Sequence, residues 1–149
     1  MRTIFNKIIL MILISSMPNL SAHDLHSAVN SEDRDPKNVA RESSRHPMET
    51  LSFFEIESDM TIIELSPGGG WYTEILANFL HEPGNLIAAH FDPNSERAYF
   101  KRSRANFEKK MGANPMFDNV QMSAINSSLA KPNSADAVLT FRNLHNWLG

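Results

Sequence analysis

The chain has 149 residues, 42% of them hydrophobic and 21% charged, the size and make-up of one ordinary globular domain. Its formal charge of −3 argues against a general nucleic-acid binder, which needs a basic surface. It contains no cysteine, which excludes disulfides, thiolate metal sites and cysteine nucleophiles.

Residues 1–22 read as a secretion signal. Arg2 and Lys7 flank the start, Ile8 to Ile14 is apolar throughout, and Ser15 to Ala22 supplies small and helix-breaking residues. The apolar run is too short to span a bilayer and follows the order of a cleavable signal. Cleavage is expected after Ala22. The chain is therefore read as exported, to the periplasm or beyond, with no stable membrane anchor afterwards. An uncleaved anchor or a buried N-terminal helix is the alternative. The remainder keeps 12 of the 14 basic residues and all 17 acids, a net −5.

Residues 23–47 form a polar segment, with Pro36 placed to open a helix. His23 and His26 are read as exposed, and no metal site is expected. A short helix is expected to run into Met48–Phe54, with Leu51 and Phe54 on one face. Residues 48–149 are read as the folded domain.

Met60 to Leu65 predicts a buried strand. Ser66-Pro67-Gly68-Gly69-Gly70 must then turn sharply. From Trp71 to Leu80, two four-residue series (Trp71, Ile75, Phe79 and Tyr72, Leu76, Leu80) predict an amphipathic helix. Glu82-Pro83-Gly84 stops it. A second strand is expected over Leu86–Phe91, closed by Asp92-Pro93-Asn94. Asn94 or Ser95 is expected to cap a helix running to about Met111. Its bases, Arg97, Lys101, Arg102, Arg104, Lys109 and Lys110, are read as a solvated outer face, with Phe100, Phe107 and Met111 inward. Short strands are expected over Val120–Ser123 and Ala135–Phe141. Alternating strands and helices with short loops predict a parallel α/β sheet with right-handed crossovers. In such sheets ligands bind beyond the carboxyl ends of the strands.

Glu64, the glycine turn, Asp92 and the segment after Phe141 gather on that edge. Glycines let the backbone take positive φ and let a ligand come close, and a helix N-terminus offers free N–H groups. Asp92, at the end of the second strand, is placed to accept from both hydroxyls of a ribose. Two cofactors fit this constellation, a nicotinamide dinucleotide and S-adenosylmethionine (SAM). Glu64 repels a pyrophosphate and suits a cationic amino group, so the electrostatics favour SAM.

Glu64-Leu65-Ser66-Pro67-Gly68-Gly69-Gly70 resembles the first motif of class I SAM-dependent methyltransferases. Together with Phe141-Arg142-Asn143-Leu144-His145-Asn146-Trp147, it resembles a group of predicted, often exported bacterial methyltransferases, over about residues 34–149. The resemblance implies a Rossmann-like parallel sheet, truncated here after the fourth strand of a fold that has seven. It implies SAM as cofactor, with Glu64, Ser66, Gly68, Gly69 and Gly70 around its methionine and ribose part. Asp92, or His90 in its place, would hold the ribose hydroxyls. Asn143 and His145 would stand near the transferred methyl group and a small-molecule acceptor, His145 as general base. Ser66 replaces a glycine usual in the class. No acid follows the third strand, where the class commonly places one against the adenine. A partner chain, or a missing C-terminal half, would complete the acceptor pocket. The alternative is an exported domain that binds SAM or a nucleotide without catalysis.

Overall fold

The computed structural model describes residues 24–80 and 83–148. The expected secretion signal, His23, Glu82 and Gly149 lie outside the described residues. Four parallel strands form one sheet: β1 (Thr61–Leu65), β2 (Asn85–His90), β3 (Val120–Ala124) and β4 (Ala137–Leu139), in the order β3-β2-β1-β4. Among the described residues, five α-helices accompany them: α1 (Leu25–Val29), α2 (Pro36–Val39), α3 (Pro47–Phe53), α4 (Trp71–Phe79) and α5 (Ala98–Met111). The predicted α/β class and the parallel, Rossmann-like sheet are what the chain adopts.

Alternation along the strands divides two cores. Ile62, Leu86, Ala88 and Leu139 face the helices, in one cluster with Ile75, Leu76, Leu80, Phe107 and Met111. Ile63, Ile87 and Ala89 face the other way, against Leu65, Ile125, Leu129, Ala130 and Ala135. Both early crossovers thus lie on one face, and the β3–β4 connection lies on the other. The sheet grows in one direction from β1 to β3, then reverses to place β4 on the far side of β1. Such a reversal opens a crevice at the carboxyl ends of the strands that flank it.

Helix α4 is buried along its whole length, including Thr73, Glu74 and Asn78. A helix packed only on a sheet leaves one face wet. Here the 24–47 segment covers that face. Ala28 and Val29 are buried in the main core, and Ser31 Oγ donates to Asn78 Oδ1 at 3.1 Å. Buried Arg34 pairs with Glu42 and lies 3.9 Å from Glu74. Asn38 Nδ2 donates to Glu74 at 3.0 Å, and Trp71 Nε1 donates to Asn38 O at 2.9 Å.

Four local expectations need correction. Helix α5 starts at Ala98, not at a cap on Asn94 or Ser95. Asp92 accepts from the Asn94 N–H at 2.8 Å, and Ser95 Oγ accepts from the Arg97 N–H at 3.2 Å. These side chains build a turn instead of a helix start. Arg104 is not on a solvated face: it is buried, and its guanidinium donates to the Phe91 and Ser123 carbonyls at 2.9 Å each. Strand β4 keeps only three of its seven expected residues, because it is short of partners: it pairs with β1 alone, and Arg142 turns left-handed at φ 61° just beyond it. Leu51 is fully buried, whereas Phe54 is 49% exposed, because α3 ends at Phe53.

Candidate functional site

The turn between β1 and α4 reaches the strand edge where the sheet reverses. Three of its residues are left-handed: Ser66 at φ 55°, Gly68 at 60° and Gly70 at 81°. For Ser66 this is a strained conformation, held by its N–H, which donates to Ala89 O at 2.9 Å. Every carbonyl of the turn is taken. Asn143 Nδ2 donates to Ser66 O at 2.9 Å, and the Gly70 N–H donates to Pro67 O at 2.9 Å. His90 Nε2 lies 3.1 Å from Gly68 O, Lys110 Nζ donates to Gly69 O at 2.9 Å, and the Glu74 N–H donates to Gly70 O at 3.1 Å. The ends of β2 and β4 and the last turn of α5 therefore grip three peptide groups of the turn, those of Ser66, Gly68 and Gly69, from different sides. Among the described residues the Gly68 and Gly69 N–H groups donate to nothing. A Cβ at either position would meet no atom within 4 Å. The turn presents donors to open space at the start of α4, whose N-cap, Gly70, has no side chain to cover them.

His90 decides much of this geometry. It is buried, and its Nδ1 accepts from the Phe91 N–H at 2.7 Å. Nε2 therefore carries the proton and donates to Gly68 O. Burial pushes its pKa below the ordinary value, which keeps the ring neutral.

Two cavities meet at the turn. The larger, about 520 Å³, lies between the turn, the end of β2 and α5. Ser66 and Gly68 form its floor; Phe91, Tyr99, Phe100 and Trp147 form aromatic walls; His90, Asn143 and Asn146 add polar groups. Phe91 and Phe100 stack at 4.0 Å between ring centroids. The smaller, about 260 Å³, lies on the β4 side, between the turn, Asn38, Trp71 and Phe141 to Asn143, with Arg41 and Arg45 at its wall. Ser66, Gly68 and Asn143 line both.

The residues expected from the sequence are distributed as follows. Ser66, Gly68 and Asn143 line the larger cavity, and Gly69 lines the smaller. Gly70 lines neither; it packs under Phe107 and Met111. Glu64 is buried under the turn and lines neither cavity. Thr73 Oγ1 donates to its carboxylate at 2.6 Å. Burial raises its pKa to about 7, only partly offset by Thr73. Asp92 stands just past Phe91 of the larger cavity, its carboxylate accepting from the Asn94 N–H and from Asn126 Nδ2 at 3.1 Å. Those bonds, the backbone one first, hold its pKa below the ordinary value. His145 is exposed in a 3-10 turn and lines neither cavity. The structure thus brings Asn143 to the turn and leaves His145 outside. Phe141 stacks on Tyr72 at 3.5 Å and fixes the segment that carries Asn143.

Sequence reasoning assigned no role to Arg41 or Arg45, and it read Lys110 as part of a solvated outer face; instead the Lys110 ammonium pairs with buried Glu74 and donates to Gly69 O. The helical period of α5 does place Lys110 beside Phe107 and Met111, the inward residues, which is the one signal that marked it. Among the described residues no group of three or more His, Cys, Asp and Glu side chains is arranged to hold a metal ion. Nor is any helix there long and apolar enough to cross a membrane.

No protein-family model matches the sequence, and no curated protein does. Among solved structures, a cyclopropane-fatty-acyl-phospholipid synthase-like protein from Lactobacillus casei is similar, at 13% identity and a TM-score of 0.46. The match covers 69% of this chain and 38% of that one, so the chain spans well under half the length of this neighbour.

Proposed function

We propose that the chain is a SAM-dependent methyltransferase, or the cofactor-binding part of one, acting on a small-molecule acceptor. The observation that carries the reading is the turn itself. All its carbonyls are occupied, so what it shows a ligand is N–H donors, at a sheet reversal, beside a cavity of about 520 Å³ with aromatic walls. The residues present suit SAM. Phe91, Tyr99 and Phe100 offer flat faces to a purine, Gly68 and Gly69 leave room for close approach, and Asp92, next in sequence to Phe91 of the cavity wall, is the residue read as accepting from the ribose hydroxyls. Buried Glu64 lies beneath the turn with its pKa raised to about 7, so a cation bound above it would favour its ionised form.

SAM supplies an electrophilic methyl group on a sulfonium. The chain's own part is alignment. Asn143 and His90 hold the turn in place through its Ser66 and Gly68 carbonyls, and the aromatic side chains wall the larger cavity beside it. His145, outside both cavities, is left without a catalytic assignment. That same placement favours a second reading, in which the chain binds SAM and transfers nothing.

Calorimetry of the 149-residue chain with SAM, and separately with NAD, tests the binding step. SAM is expected to bind and NAD is not, and Asp92→Ala is expected to weaken SAM by roughly tenfold, the loss of hydrogen bonds to a charged group. Absence of SAM binding overturns both readings. Formation of S-adenosylhomocysteine on addition of an acceptor separates transfer from binding alone.

A further inference from the structure

The smaller cavity carries a charge pattern of its own. Arg41, Arg45 and Arg142 all line it, and its wall contains no Asp or Glu. This stands out in a chain with 17 acidic against 14 basic residues. Among the described residues none of the three arginines forms an ion pair, whereas Arg34 and Arg104 both do. Arg45 lies over the Trp71 ring at 4.8 Å, and its Nε is buried without a hydrogen-bond partner. A buried donor left unpaired costs stability unless something fills it. Burial first, then the charges of Arg41 and Arg142, hold the Arg45 guanidinium below its ordinary range. Three like charges are therefore kept together with nothing among them to neutralise them. Arg142 reaches the cavity from a left-handed backbone, at φ 61°. A strained residue persists where its surroundings force it, and such residues cluster at binding sites. The opposite rim is the turn with the free Gly68 and Gly69 N–H groups.

We propose that this cavity of about 260 Å³ is an oxyanion subsite, in which Arg41, Arg45 and Arg142 receive a carboxylate or phosphate group beside the Gly68–Gly69 peptide. Guanidinium groups bind such groups through paired N–H donors, and three of them converging on a concave wall focus a positive field there. Because the cavity shares Ser66, Gly68 and Asn143 with the larger one, one ligand reaches both. The oxyanion has two sources, the cofactor's own carboxylate or an acid group on the acceptor. That choice of source rests on the methyltransferase reading, whereas the subsite itself does not.

The test is calorimetry of the 149-residue chain at low ionic strength, with inorganic phosphate, SAM and decarboxylated SAM as separate probes. Arg41 and Arg142 are exposed, so the double variant Arg41→Met/Arg142→Met is expected to fold. It is expected to lose roughly tenfold in phosphate affinity. Lys101→Met, exposed on α5 and lining neither cavity, serves as the control for net charge and is expected to change nothing. If the double variant weakens SAM but not decarboxylated SAM, the group is the cofactor's carboxylate. If it weakens phosphate alone, the acid belongs to the acceptor. Unchanged phosphate affinity, an equal loss in Lys101→Met, or no phosphate binding at all overturns the subsite, whatever SAM does. Arginine-dependent phosphate binding without SAM binding keeps the subsite and removes the methyltransferase reading.

Discussion

Glu64 combines a charged side chain with full burial, and its pKa of about 7 follows from that. Its consequence for stability has a definite sign. Between about pH 4.5 and 7 the folded protein keeps a proton that the unfolded chain has released. Stability therefore falls as pH rises through that window and is flat with respect to Glu64 above it, a loss of about 3 kcal/mol. His90 acts in the opposite sense: its lowered pKa makes stability rise with pH through its ordinary range. The difference between wild type and Glu64→Gln isolates the first effect. Urea unfolding at pH 5 and pH 8 is expected to show the variant gaining relative to wild type at the higher pH. A parallel pH dependence in the two proteins would show that Glu64 is ionised throughout. The spacing of Glu64 from the glycines was legible in the sequence, but its contact with Thr73, nine residues on, required α4 to lie over β1.

At the scale of elements, the junction of β1 and α4 depends on a single glycine more than on the other two. Gly68 and Gly69 have empty space where a Cβ would go, so their lack of a side chain serves a ligand. At Gly70 the φ is 81°, and a Cβ would come within 3.1 Å of Phe107 and 3.2 Å of Met111. Gly70→Ala is expected to destabilise the fold by roughly 1 to 3 kcal/mol, the cost of forcing a side chain into the left-handed region. Gly69→Ala, with ordinary backbone and open space, is expected to leave the thermal midpoint near wild type. Thermal melts of the two variants check the contrast, and equal losses would refute it. In the sequence the three glycines look alike. What distinguishes Gly70 is α5, which arrives from nearly forty residues downstream.

On the scale of the whole molecule, the 24–47 segment is tied to the binding edge by charge. Glu74 lies 2.5 Å from Lys110 and 3.9 Å from Arg34, so one buried carboxylate joins α4, α5 and the N-terminal segment. Lys110 also donates to Gly69 O, which extends the connection to the turn. Removing one member of a buried ion pair costs roughly 3 to 5 kcal/mol, because a charge is left uncompensated. Arg34→Met is expected to release α1 from α4 before the sheet opens. Hydrogen exchange at Val29 should then accelerate, while Ile62 and Leu86 in the sheet stay protected. Equal acceleration at all three would mean that segment and sheet unfold as one unit.

Local periodicity and turn chemistry were enough to place the strands, the glycine turn, α4 and the parallel α/β class, because those signals arise within a few residues. They also gathered Glu64, Asp92 and Asn143 on one edge, since parallel strands must end together. The sequence could not reveal that Glu64 is roofed by Thr73, that Asn143 faces the turn while His145 does not, or that Arg41, Arg45 and Arg142 converge. Those outcomes depend on how the 24–47 segment, α5 and β4 pack around one loop. Burial, shared hydrogen-bond acceptors and unpaired charge are properties of neighbours in space, and only the tertiary structure chooses the neighbours.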